Sequence, residues 1–239
     1  MNKQTSTNYR YYDLVMALFV TVLLISNLLS SAKIIDLGIS LGPVALVFDA
    51  GTLIFPISYI FGDVLTEVYG YKRSRRVIWA GFSANLLMAF FVWFAGVLPG
   101  ESEWAATTGQ QAYHNVLGGV NGLIVASLVA YFMGEFSNSY VLARMKIKTQ
   151  GRWLWARTIG STLVGEGVDT ITFALIATVL GVFPWSIFVS LVVTNYLFKV
   201  GLEVAMTPLT YRIVNTLKAV EHEDYYDRGT DFNPFKLGV

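Results

Sequence analysis

The sequence predicts an all-α integral membrane protein with six transmembrane helices and both termini in the cytoplasm. Three observations carry that expectation. The 239 residues are 54% hydrophobic and only 14% charged, with a mean hydropathy of +0.54, whereas ordinary soluble domains carry roughly 25% charged residues. Six apolar runs are each long enough to cross a bilayer core roughly 30 Å thick. Lys and Arg fall on alternate connections between those runs, which orients the chain.

The first run, 12–31, is apolar from Leu14 to Leu29. That is longer than a secretory signal core, although Ser30 and Ala32 resemble the small-residue pair of a cleavage site. The second, 43–69, contains Pro56 and is expected to kink where a backbone hydrogen bond is lost. The third spans 77–98. The connection at 99–116 holds Glu101, Glu103, Trp104, Tyr113 and His114, and suits either an interfacial anchor or a gate over the outer entrance. The fourth run is 117–143. The fifth, 158–180, carries Gly160, Ser161, Gly165 and Gly167, small residues that permit close helix contact within one subunit or across a homodimer. The sixth, 184–211, includes Pro208. Together they form a single domain, followed by an acidic tail at 219–239 that reads as a solvated cytoplasmic end.

One side collects Lys3 and Arg10, then Lys72, Arg73, Arg75 and Arg76, then Arg144, Lys146, Lys148, Arg152 and Arg157, and finally Arg212, Lys218, Arg228 and Lys236. The connections on the other side hold Lys33 alone. By the positive-inside rule the first side is cytoplasmic.

The basic boundary also serves as a ruler. Asp63, Glu135, Glu166 and Glu203 each lie nine residues from a basic residue, namely Lys72, Arg144, Arg157 and Arg212, and Asn85 lies nine from Arg76. Nine residues of helix rise about 13.5 Å, which places this layer near the bilayer midplane. Charge there costs at least about 2.5 kcal/mol per residue and marks function. Helical spacing then gathers the polar residues into stripes: Tyr59, Asp63 and Glu67; Tyr131, Glu135 and Asn138; Thr162, Glu166 and Asp169; Asn195, Lys199 and Glu203. Such stripes turn toward one another, because lipid offers them no partner. Six acids face a single buried base, Lys199, which shares the depth of Asp169 and is expected to pair with it. The remaining acids must hold protons, bind a cation or accept hydrogen bonds from a ligand. Glu67, close to Lys72, suits pairing with the basic cluster, gating or proton coupling, and Glu203 suits gating or proton coupling.

Several classes fall away. The chain has no cysteine, hence no disulfide or thiolate site, and its two histidines form no HExxH pair. No Gly-rich loop ends in Lys-Ser or Lys-Thr, so nothing suggests an ATPase in this chain. A paired-aspartate intramembrane protease is disfavoured, because Ile60 stands where glycine is usual before Gly62-Asp63. Neither an enzyme, a cofactor, a metal nor a nucleic-acid partner is expected; the partners are the bilayer and a small molecule.

The stretches Gly62-Asp63-Val64-Leu65-Thr66-Glu67-Val68-Tyr69-Gly70-Tyr71-Lys72, Gly134-Glu135-Phe136-Ser137-Asn138-Ser139 and Gly165-Glu166-Gly167-Val168-Asp169-Thr170 resemble the queuosine precursor transporter family, also called vitamin-uptake-transporter-like. The resemblance implies an inner-membrane carrier that imports 7-deazaguanines, chiefly 7-cyano-7-deazaguanine. On that reading Asp63, Glu135 and Glu166 accept from the donor edge of a guanine-type base. Asn138, Asn195 or Lys199 donate to its carbonyl and nitrile, and Tyr59, Tyr131 or Tyr196 stack on the ring. The resemblance also places Asp63, Thr66, Gly70, Asp169, Tyr196 and Lys199 in characteristic segments. Two other readings stay open: a binding subunit that needs an energising ATPase partner, and a proton or cation carrier.

Overall fold

The structure, a computed structural model, describes residues 9–42, 44–107, 109–118, 121–181 and 183–236. Lys3, Pro43 and residues 237–239 of the tail lie outside the described residues. Helix α1 (Tyr12–Ala32) turns Val15, Phe19 and Leu23 inward, fully or nearly buried, while Leu14, Leu18 and Ile25 stay exposed. The spacing of three and four is that of one apolar stripe against a core, and the exposed leucines and isoleucine suit lipid.

The expected second span differs most from what the chain forms. Val44–Asp49 is strand β2, antiparallel to β1 (Ile34–Leu41). Gly38 and Gly42 take the left-handed backbone that the hairpin's turns require. Asp49 then caps a 3-10 turn, Ala50–Leu53, and α2 (Phe55–Val64) follows, running on as a π turn, Leu65–Tyr69. Pro56 lies in the first turn of α2, where no helical hydrogen bond is lost. It starts the helix and does not kink it.

Helix α3 (Tyr71–Val97) begins ahead of the expected residue 77, so the basic quartet is helical. Short helices α4 (Ser102–Thr107) and α5 (Gly109–Tyr113) and a π turn, His114–Gly118, form the long connection. It folds back onto α3: the Tyr113 hydroxyl donates to Val92 O at 2.6 Å and Gln110 Nε2 to Gly96 O at 2.9 Å. Helices α6 (Asn121–Lys148) and α7 (Leu154–Val179) come next, and after a 3-10 turn, Trp185–Ile187, α8 (Phe188–Glu221) runs unbroken through Pro208. Among the described residues four helices, α1, α3, α7 and α8, are long and apolar enough to cross a membrane.

Two glycines draw α6 and α7 together. A Cβ on Gly165 would stand 2.7 Å from Asn138 Cβ, and one on Gly134 2.7 Å from Asp169 Cβ. Close approach is the use that small residues have between membrane helices, and here it works within the subunit.

The tail is not a solvated end. Tyr225 N donates to Val68 O, Tyr71 N to the Asp227 carboxylate at 3.0 Å, and Trp79 Nε1 to Pro234 O at 2.8 Å. Arg75 Nη1 donates to Asp231 O and Asn233 O at 2.9 and 2.6 Å. Arg75 at the start of α3 thus finds tail carbonyls, and Phe232 packs on the core beside Tyr71. Burial pushes the Asp227 carboxyl above its ordinary range, against the opposing bonds from Tyr71 N and Thr230. At Asp224 burial also pushes up, but Lys146 and Lys218 outweigh it and hold the carboxyl below that range.

Candidate functional site

Polar groups gather at three levels of the bundle. At the basic boundary, Glu67 on the π turn is fully buried. It receives Arg157 Nη2 at 2.7 Å from the start of α7 and Lys218 Nζ at 2.6 Å from the end of α8. Lys146 Nζ, from α6, stands 3.5 Å away, and Asp224 of the tail joins Lys146 and Lys218 at 2.6 and 2.8 Å. One carboxylate therefore ties four elements together. Glu67 pairs with the basic cluster, as expected, though with Arg157, Lys146 and Lys218 in place of Lys72.

The next level is the acid layer. Asn138 Nδ2 donates to Asp63 Oδ1 at 2.8 Å. Glu135 and Glu203 are buried, and neither oxygen of either carboxyl finds a hydrogen-bond partner among the described residues; the hydroxyl of Tyr59 is in the same state. Gly62 leaves room for Glu135, whose Oε2 lies 3.0 Å from where a Cβ would be.

Above it opens a polar-lined cavity, about 970 Å³ of non-atom space with its open mouth included. On the α7 and α8 side it is lined by Asp169, Thr170, Asn195 and Lys199. Lys199 Nζ lies 2.7 Å from Asp169 and 3.3 Å from Glu166, and 4.1 Å from the centre of the Phe55 ring. On the α1, α3 and α6 side stand Asn27, Asn85 and Ser127. Asn27 Nδ2 donates to Asn85 Oδ1 at 3.1 Å, and Ser127 Oγ to Asn27 Oδ1. Ser30, Asp49 and Thr52 complete the polar lining, and Phe55 and Phe173 supply aromatic faces.

Of the residues predicted from sequence, Asp169, Asn195 and Lys199 line this cavity. Asp63, Glu135, Asn138 and Tyr59 are buried off its lining, as is Glu203, and Glu166 reaches it only through Lys199. Tyr131 is occupied elsewhere, its hydroxyl donating to Ile78 O at 3.0 Å. Tyr196 turns to α7 and donates to Leu163 O at 3.1 Å. The sequence reading missed Asn27, Ser30, Asp49, Thr52 and Ser127. Their signal was weak: Asp49 falls on a strand outside the helical ruler, and Asn27 and Ser127 lie far from any basic boundary.

A helical membrane bundle with a buried ion pair facing a polar cavity, and a second buried cluster of one carboxylate and three cations, has the build of a small-molecule membrane transporter. Residues 49–213, more than half the chain, match the family model described as "Putative vitamin uptake transporter". The chain is 29% identical to the "Probable queuosine precursor transporter" of Bacillus subtilis over 67% of this chain and 69% of that one. It is 28% identical to the "Queuosine precursor transporter" of Escherichia coli over 53% of each, and 25% identical to a "Probable queuosine precursor transporter" of Haemophilus influenzae over 69% and 67%. The chain belongs to the queuosine precursor transporter family. No solved structure matches it.

Proposed function

We propose that this protein imports a queuosine precursor, 7-cyano-7-deazaguanine or a related 7-deazaguanine, across the inner membrane, with the polar cavity as its binding site. The observation that carries the reading is the Lys199–Asp169 pair, buried at 2.7 Å yet lining that cavity. An ion pair at such depth is costly unless it serves a ligand or a pathway. Lys199 and the amides of Asn85 and Asn195 offer donors to a ring carbonyl and a nitrile, carboxylates offer acceptors to ring N–H groups, and Phe55 and Phe173 offer flat faces.

In this account α2 and α6 complete a six-span topology with both termini cytoplasmic, as the basic residues suggest. The Glu67 network closes the cytoplasmic end and the cavity faces outward, beneath the long connection whose Leu117 touches it. The unpartnered carboxyls of Glu135 and Glu203 favour proton coupling, with Asp63, Asn138 and Glu166 on the path the base takes inward. Alternating access around such a midplane site is common in small carriers.

Reconstitution of the purified chain alone into liposomes tests the function. Uptake of the labelled base, faster with an inward proton gradient, is the expected result. Binding without uptake would instead favour a subunit that depends on an ATPase, and ion flux without the base would favour an ion carrier.

A further inference from the structure

We infer that Asp49, at the end of β2, is the specificity-determining acid of the cavity: its Oδ2 accepts a hydrogen bond from the exocyclic amine of the guanine-type base. The inference rests on the function proposed above.

The chain enters the bundle at this point and is pinned there. Phe48 is buried and stacks on Phe198 of α8 with ring centres 4.7 Å apart. Gly51 lies so close to α1 that a Cβ would stand 2.0 Å from Ser30 Oγ and 2.3 Å from Ser26 O. The Asp49 carboxylate is therefore held on a rigid support. Its Oδ1 accepts from Ser30 Oγ and from Thr52 N at 3.2 Å, and its Oδ2 accepts from Thr52 Oγ1 at 2.9 Å.

A carboxylate has about four acceptor positions. Among the described residues three are used, and the open one belongs to Oδ2, on a residue that lines the cavity. The other carboxylate on the lining, Asp169, is engaged by Lys199 at 2.7 Å, whereas Asp49 makes no ion pair among the described residues. An acceptor-only group, preorganised and in no direct ion pair, is suited to an N–H donor, although the Lys199 charge across the cavity acts on it. The exocyclic amine projects furthest from the donor edge of a guanine-type ring and can reach an acid fixed in the wall.

Capping alone would explain the bond from Thr52 N, and asparagine caps as well as aspartate. Asp49→Asn therefore keeps the turn but puts an amide N–H₂ where Oδ2 was. That group opposes an exocyclic amine and suits a carbonyl. The test is equilibrium binding of 7-cyano-7-deazaguanine and of its 2-oxo, xanthine-type counterpart to purified wild type and Asp49→Asn. Wild type should prefer the amine. The variant should lose roughly tenfold or more for the amine and gain for the 2-oxo base, so that the preference inverts.

Thr52→Val, which releases Oδ2 and leaves the carboxylate in place, should narrow the preference without abolishing 2-oxo binding. An unchanged ratio in both variants, or equal loss of both bases, would overturn the inference while leaving the proposed function standing. Failure of wild type to bind either base would overturn both.

Discussion

Lys199 holds more than one role at once: it neutralises Asp169 at 2.7 Å, approaches Glu166 at 3.3 Å and presents its charge to the cavity. Removing one member of a buried pair leaves the others uncompensated, which costs about 3–5 kcal/mol. Lys199→Ala should therefore abolish uptake and lower the unfolding temperature in detergent. Adding Asp169→Asn to it should recover part of the stability and none of the uptake; recovery of uptake would contradict a direct role for the pair. This pairing was legible in the sequence, since both residues could be measured against basic boundaries at Arg157 and Arg212. Asp49 was not, because the ruler works only along a helix and the hairpin breaks it. Nor could spacing tell that Tyr131 and Tyr196 spend their hydroxyls on the carbonyls of Ile78 and Leu163.

Among the elements, the join of α2 to α3 and the tail depend on each other. Gly70 takes φ +85° with ψ 163°, a backbone almost confined to glycine that costs other residues about 1–3 kcal/mol, and a Cβ there would stand 2.2 Å from the Tyr225 ring. Gly70→Ala should both destabilise the protein and expose the tail to protease, read as cleavage after residue 221 in detergent; a tail as resistant as in wild type would refute the coupling. Composition reads the tail as solvated because acidic residues dominate it. What it hides is that Asp227 receives Tyr71 N, that Asp224 receives two lysines and that tail carbonyls receive Arg75. Partners supplied by distant helices leave no trace in local sequence. The apolar runs of α1, α3, α7 and α8, by contrast, were legible from length and composition alone.

For the whole molecule, the proposed function requires a bundle closed at the basic end and open to a cavity at the other. The chain's lack of cysteine makes both statements measurable with single substitutions. Lys148→Cys should react with impermeant thiol reagent only from the cytoplasm and Glu103→Cys only from outside. Thr162→Cys, at a buried position, should react from the cytoplasm only once Glu67→Gln has removed the charge that holds Arg157, Lys146 and Lys218 together; reaction without that change would contradict closure there. The measurement that tests the central claim most directly is calorimetric binding of 7-cyano-7-deazaguanine to the purified protein, with guanine as competitor. The account predicts saturable binding that is lost in Asp169→Asn and kept in Tyr196→Phe, whose hydroxyl faces α7. Undiminished binding by Asp169→Asn, or no binding by folded wild type, would contradict it.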